Sequence, residues 1–227
     1  MLLGFGPSLF IANGPPVSFY GFPYPTRMAV VQLASGALWV WSPVALTDEL
    51  AAEVAALGPV RYIVSPNRLH HLFLSAWARR WPEARLYAPP GLAAKRPDLH
   101  FHGELGDTPD PAWAQDIDQA VFRGSFALTE VVFFHARSRT AIVGDLIQRF
   151  DTSTLSAWKG LLLKLDGLAG EHGSTPRELR ITFLRRGAAR AARDKVLGWQ
   201  PEQLLIAHGR CVQGGATPVV DAALAWM

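Results

Sequence analysis

The chain has 227 residues, of which 49% are hydrophobic and 18% are charged, and its formal net charge at pH 7 is +3. This balance predicts a folded chain with a large core and excludes one that is disordered over most of its length. A single cysteine, Cys211, excludes an internal disulfide bond and favours a reducing, cytoplasmic compartment. The apolar start lacks a basic leader, and no run of about 18 apolar residues occurs. We therefore expect no secretory signal, no membrane span and no membrane partner.

The first half of the chain is predicted to begin with an irregular arm and then to alternate strands with helices. Residues 1–26 are rich in Gly, Pro and aromatic side chains, which favours irregular structure. Strands are predicted at residues 27–33, 37–42, 61–65 and 84–88, and helices at 46–58 and 70–81. The first of these helices has a Thr cap at Thr47, acids in its first turn and Gly58 at its end.

The second half repeats this mixture of strands and helices. Strands are predicted at residues 118–124, 130–136, 140–145 and 202–209, and helices at 156–168, 175–199 and 217–227. Strand pairs interleaved with helices predict an α/β sandwich in which helices cover the outer faces of two packed sheets. We expect one domain over residues 1–227, with the arm lying across its body.

Polar residues follow three of the most apolar strands. "YIV" leads through Ser-Pro-Asn to His70 and His71, "AIV" leads to Gly-Asp145, and "LLIA" leads to His208-Gly. Ligand sites of α/β proteins gather where strand carboxyl ends open into loops. A Gly-Asp or a His-Gly taken alone is more often a plain turn. Together, histidine and carboxylate are the ligands that zinc prefers, so the four residues form a candidate metal site.

Most of the chain resembles the metallo-β-lactamase fold superfamily, and in particular a little-characterised branch of it. The resemblance is carried by "RMAVVQLASGALWVWSPVAL", "LGPVRYIVSPNRLHHLFLSAWARRWPEARLYAPPGL", "EVVFFHARSRTAIVGDLI" and "PEQLLIAHG", which together span roughly residues 27–210. It implies a four-layer αββα sandwich with a metal cleft at one edge of the two sheets. Superfamily hydrolases commonly hold two metals through a His-x-His-x-Asp-His signature, a later His, a bridging Asp and a last His.

The sequence departs from that signature at one of the two metal positions. Pro66 and Arg68 stand where the first two histidines would fall, and the later histidine is replaced near Phe126. The resemblance therefore implies that one metal position has lost its ligands. Arg68 suggests a sharper hypothesis, that its guanidinium replaces the charge of the missing cation and pairs with Asp145 or with an anionic group of a substrate. The alternative is an ordinary exposed arginine.

The other metal position keeps a full set of candidate ligands. His70 stands where the signature has Asp, His71 matches its final His, and Asp145 and His208 match the bridging Asp and the last His. The resemblance thus implies at most a mononuclear site, with Asp145 as the candidate catalytic residue. Zinc fits these ligands best, iron and manganese are alternatives, and a chain with no metal at all stays open.

Three functional hypotheses follow. The first is a hydrolase of small esters or thioesters that acts on a small-molecule substrate at a single metal. The second is a non-catalytic protein that binds a small ligand or keeps only the scaffold. The third is a nucleic-acid-processing or nucleic-acid-binding protein; it rests on the arginines between residues 177 and 193 and is disfavoured because a net charge of +3 is modest. A homodimer is left open.

Overall fold

The computed structural model describes residues 1–19, 22–151, 163 and 167–227. Two β-sheets lie in it with helices on their outer faces, which confirms the predicted αββα sandwich. The first sheet has seven strands in chain order. These are β1 (Leu3–Gly6), β2 (Leu9–Phe19), β3 (Phe22–Gln32), β4 (Leu38–Trp41), β5 (Val60–Val64), β6 (Arg85–Ala88) and β7 (Gly103–Glu104).

The second sheet has five strands, in the order β12-β11-β10-β9-β8. These are β8 (Ile117–Phe122), β9 (Glu130–His135), β10 (Thr140–Val143), β11 (Gln203–Ile206) and β12 (Val212–Gln213). The described helices are α1 (Asp48–Leu57), α2 (Leu74–Arg80), α3 (Leu92–Lys95), α4 (Arg177–Arg180), α5 (Arg186–Gly198) and α6 (Ala216–Leu224). None of them has both the length and the apolarity that crossing a membrane requires.

The core is divided into three apolar layers by the two sheets. The middle layer lies between the sheets, where the alternating Trp39 and Trp41 of β4 face Phe133 of β9. A second layer joins the first sheet to α1 and α2, and a third joins the second sheet to α5 and α6. Because both sheets are covered on both faces, the sequences of their central strands are continuous apolar runs. This pattern is why these strands could be predicted.

The predicted irregular arm is wrong, because residues 1–26 belong mostly to the three strands β1, β2 and β3. β2 pairs with β3 in antiparallel register from Leu9–Val31 to Phe19–Phe22. The register shifts between Gly14 and Val17, where two prolines stand. A proline cannot donate to a ladder but is accommodated at such an irregularity, so the prolines misled the prediction without preventing the strand.

The predicted helix over residues 175–199 is two helices, α4 and α5. Between them Thr182 and Phe183 are buried, and the Phe126 amide donates to the Thr182 carbonyl at 3.3 Å. The run Ile-Thr-Phe is β-branched and aromatic, a composition that favours extended backbone. α1 begins after Thr47, whose hydroxyl accepts from the Leu50 amide as predicted. The predicted helix over 156–168 lies almost entirely outside the described residues.

Candidate metal centre

Three of the four predicted ligands meet at the carboxyl ends of the strands. His70 follows β5, Asp145 follows β10 and His208 follows β11. Their ligand atoms all lie within 4.8 Å of one another. His70 Nε2 is 3.2 Å from Asp145 Oδ2, and His208 Nε2 is 3.1 Å from Asp145 Oδ1. Each imidazole therefore presents Nε2 to a different oxygen of one carboxylate.

The other ring nitrogen of each histidine is held by a neighbouring strand. His70 Nδ1 lies 2.6 Å from the hydroxyl of Ser42, directly after β4, and His208 Nδ1 lies 2.7 Å from the Pro25 carbonyl on β3. A carbonyl can only accept, so His208 carries a proton on Nδ1. If the His208 ring is neutral, its Nε2 points a lone pair at the anionic oxygen Oδ1 of Asp145. Such a contact is stable only with a second proton or a cation between the two atoms.

The electrostatics of the three groups favour a charged carboxylate. Burial works to raise the pKa of Asp145, but the charge of His70 and the hydrogen bonds from both imidazoles hold this pKa well below its usual range. Burial works to lower the pKa of His208, but the hydrogen bond to Asp145 and its charge outweigh burial and raise it. Asp145 therefore stays ionised in a site from which water is largely excluded.

The donor set fits a zinc-like ion. Imidazole nitrogen and carboxylate oxygen are zinc ligands, and one such atom from each of the three residues lies within 4.8 Å of the other two. Metal-bound histidines usually donate their other ring N–H to an oxygen, and the contacts of both Nδ1 atoms with Ser42 and Pro25 match that arrangement.

Asp145 is held in place by a second, deeper carboxylate that sequence reasoning missed. Glu130, the first residue of β9, is fully buried and accepts from the amides of Gly144, Asp145 and Leu146. The Asn67 amide donates to Glu130 Oε2 and to Asp145 Oδ2, at 2.8 Å in both cases. Burial, and then the charge of Asp145, raise the pKa of Glu130 to about 7. An acid at the start of an otherwise apolar strand was the signal that could have found it.

Asn67 also stabilises the turn that follows β5. Its Oδ1 accepts from the Leu69 amide at 2.8 Å, a local turn, while α2 begins only at Leu74. The space it shares with Glu130 is tight, because a Cβ added at Gly144 would lie 3.1 Å from Glu130 Oε2 and 3.2 Å from Asn67 Nδ2. A side chain at position 144 would therefore displace the Glu130 carboxylate or the Asn67 amide.

The segment predicted as an arm supplies one wall of the site. β3 provides the Pro25 carbonyl, and the Tyr24 ring packs edge-on against His208 with 5.3 Å between centroids. Arg27 Nη1 donates to the carbonyls of Ile206 and Gly209, which flank His208. β3 therefore fixes the position of His208 from the opposite sheet.

His71 does not join the cluster, contrary to the prediction of four ligands. Arg96 Nη1 lies 3.1 Å from His71 Nδ1 and donates to the His71 carbonyl at 2.8 Å. Burial, and then the positive charges of Lys95 and Arg96, lower the pKa of His71. Neighbouring residues point in different directions where the chain turns, so His70 reaches Asp145 and its neighbour does not. His71 still lines the cleft beside the centre.

Arg68 also lies away from Asp145. Its side chain is exposed and lies against Gly91, and the position beside Asp145 is taken by Asn67. The hypothesis that Arg68 takes the place of a missing cation and pairs with Asp145 is therefore wrong. Phe126, where the later histidine is replaced, is 73% exposed.

A cleft of about 350 Å³ opens above the three ligands. His70, Asp145 and His208 line it, and half of the other lining residues are apolar. The apolar residues are Val17, Tyr24, Pro43, Leu69, Leu72, Phe73, Pro176 and Leu179. A cleft of this size and mixed lining suits a small molecule with an apolar part.

Several solved metallo-β-lactamases have a similar fold. The chain is similar to DIM-1 metallo-β-lactamase exposed to ceftazidime, at 12% identity and a TM-score of 0.68, covering 99% of this chain and 96% of that one. It is similar to the metallo-β-lactamase from Pontibacter korlensis, at 12% identity and a TM-score of 0.66, covering 99% and 98%. It is also similar to FIM-1 from Pseudomonas aeruginosa in the mono-zinc form, at 10% identity and a TM-score of 0.64, covering 99% and 94%. Identities this low establish the fold alone.

Sequence comparison gives a narrower assignment. No curated protein matches the chain. One family model, described as a domain of unknown function (DUF4336), matches residues 18–159, more than half of the chain. The matched range contains β3, the Asn67 turn, Glu130 and Asp145. The chain therefore belongs to the DUF4336 family and has the metallo-β-lactamase fold.

Proposed function

We propose that the chain binds one divalent cation, preferably zinc, through His70, Asp145 and His208, and that it hydrolyses a small ester or thioester there. The observation that carries the proposal is the convergence of two Nε2 atoms on one buried, ionised carboxylate. When bound, such a cation supplies Lewis acidity, which polarises a carbonyl group and acidifies water. Three protein ligands leave a coordination position open, as catalytic zinc sites usually do.

The chain's own residues would orient the ligands and the substrate. Ser42 and Pro25 fix the two imidazoles, and Asn67 fixes the carboxylate of Asp145, which is the catalytic residue predicted from the sequence. Arg96 donates to His71 Nδ1, so neutral His71 carries its proton on Nε2 and can donate it in a hydrogen bond to a substrate oxygen.

A non-catalytic, metal-free ligand-binding protein is the second candidate. Its support is that 3.1 and 3.2 Å are also hydrogen-bond distances, so a doubly protonated His208 would satisfy Asp145 without a cation. The cleft would then bind a small molecule and carry out no hydrolysis.

Elemental analysis of the purified protein separates the two candidates. We expect about one equivalent of zinc per chain after incubation with zinc and gel filtration. The variants Asp145→Asn and His208→Ala should bind none, because each removes one of three ligands. His71→Ala is the matched control, since it removes a cleft histidine outside the cluster and should keep the metal. Equal metal in wild type and His208→Ala would rule out the metal site.

Hydrolysis is tested on the same proteins. Chromogenic short-chain esters and thioesters should be cleaved by the zinc-loaded wild type and not after chelation, and His208→Ala should match the chelated protein. Binding of zinc without cleavage of any ester or thioester would leave a metal-binding protein and reject the hydrolase.

A further inference from the structure

The cleft above the candidate metal centre adjoins a second cavity of about 350 Å³. Leu69 and Lys95 line both of them. The other residues lining the second cavity are Arg68, Gly91, Ala94, Ala127, Leu128 and Thr129. Leu69 and Lys95 therefore form the boundary that a ligand occupying both cavities would cross.

The two compartments differ in chemistry. The cleft combines a set of apolar side chains with the acidic residues Asp145 and Glu178, and two of its leucines, Leu69 and Leu72, are 41% and 57% exposed. Exposed leucines that line a cleft favour a ligand with an apolar part. The second cavity contains Arg68 and Lys95 and no acidic residue.

The two cations of the second cavity are not neutralised locally. In the described part of the chain, neither Arg68 nor Lys95 forms an ion pair, and Lys95 Nζ donates to the Arg68 carbonyl at 2.9 Å. That hydrogen bond holds the ammonium group beside the start of the Arg68 side chain. A phosphate or carboxylate would accept charge-assisted hydrogen bonds from both side chains.

We infer that the natural ligand is an anionic amphiphile, with an apolar acyl or alkyl group in the cleft and an oxyanionic head group bound by Arg68 and Lys95. The inference names the substrate class for the proposed hydrolase and rests on it only for the cleavage step. Arg68 thus keeps the anion-binding role suggested by the sequence, in the second cavity rather than beside Asp145.

Three probes dissect the two compartments by isothermal titration with metal-free protein in the presence of a chelator. They are octyl phosphate below its critical micelle concentration, 1-octanol, which lacks the charge, and inorganic phosphate, which lacks the tail. Octyl phosphate should bind at least tenfold more tightly than either partial probe, because it alone occupies both compartments.

Matched variants test the head-group site. Arg68→Gln combined with Lys95→Gln should weaken octyl phosphate at least tenfold and leave octanol unchanged. The control, Arg61→Gln combined with Arg190→Gln, removes two exposed charges elsewhere and should bind octyl phosphate as the wild type does. Leu72→Ser should weaken octyl phosphate and octanol together. Circular dichroism would confirm that each variant is folded.

Several results would overturn the inference. Octyl phosphate that binds no better than octanol would remove the head-group site, and equal losses in both double variants would reduce it to general charge attraction. Sedimentation with phosphatidylglycerol vesicles, without binding of free octyl phosphate, would replace the free amphiphile by a lipid surface. Because these titrations use metal-free protein, whereas the metal site is tested by elemental analysis of zinc-loaded protein, failure of the metal site and failure of this inference are separable.

Discussion

The two ends of β9 bury ionisable groups in opposite ways. Glu130 begins the strand and His135 ends it, and neither is exposed to solvent. Glu130 accepts hydrogen bonds from three backbone amides and from Asn67. The His135 ring has one hydrogen bond among the described residues, between Nδ1 and the Ser138 hydroxyl at 2.7 Å. Its Nε2 has no hydrogen-bond partner among these residues.

The two ends of β9 differ in the hydrogen-bond donors around the buried group. Burial raises the pKa of Glu130 to about 7 and lowers that of His135 to about 4, so burial disfavours the charged form at both ends. Only the Glu130 end supplies donors that fix the carboxylate and, through Asn67, the candidate ligand Asp145. His135 is a buried neutral imidazole, and it is not among the described residues that line the cleft.

Removal of the Glu130 carboxylate should have the largest effect on the stability of the protein. Glu130→Leu leaves three buried backbone amides without an acceptor and removes one of the two acceptors of the Asn67 amide, which should reduce the free energy of unfolding by about 4 kcal/mol. Urea unfolding measures this. Glu104→Leu, at an exposed position on β7, is the matched control and should change stability little. A loss under 1 kcal/mol would show that Glu130 does not support the turn before Asp145.

The two ends should also give opposite pH dependence. The pKa of Glu130 is raised on folding from 4.5 to about 7, so its contribution to stability is lost as pH rises through that window. The pKa of His135 is lowered from 6.5 to about 4, so its contribution is lost as pH falls through that window. Each contribution is about 3 kcal/mol, and between pH 4.5 and 6.5 they oppose one another.

Single variants should separate the two contributions to the pH dependence of stability. Without its acid, Glu130→Gln should lose stability toward pH 4.5 more steeply than the wild type. Without its imidazole, His135→Asn should gain stability toward pH 4.5 relative to the wild type. Chemical unfolding at four pH values between 4.5 and 6.5 measures both slopes, with the exposed His100→Asn as control. Parallel pH profiles for all proteins would contradict the opposite burial effects.

The smallest effect is expected from the partner of His70. Ser42→Ala removes the 2.6 Å contact that orients the imidazole, and partners of this kind typically contribute about tenfold in metal affinity. Competition with a zinc chelator measures the affinity, and the exposed Ser35→Ala should match the wild type. Unchanged affinity in Ser42→Ala would mean that the orientation of His70 does not depend on this hydroxyl.

Much of the fold could be predicted because burial leaves a clear pattern. The central strands are apolar runs. Thr47 and Gly58 flank α1 in the structure, as predicted from the sequence. The arm could not be assigned, since Pro15 and Pro16 argue against a strand unless the register irregularity between Gly14 and Val17 is known.

The site could be predicted only in part, for a related reason. His70, Asp145 and His208 follow apolar strands, and the rule that ligands gather at strand carboxyl ends brings them together. The orientation of His71 depends on the turn before α2 and on Arg96, which is distant in sequence. Glu130 stands out in the sequence as an acid at the start of an apolar strand, but its role depends on the amides of residues 144–146, contacts that have no short-range signature.

Anomalous diffraction at the zinc absorption edge, from crystals of the zinc-loaded protein, tests the central claim most directly. We predict one anomalous peak per chain, within bonding distance of His70 Nε2, His208 Nε2 and an oxygen of Asp145, and not of His71. The absence of a peak at these three atoms, or a peak bound by His71 elsewhere, would contradict the account.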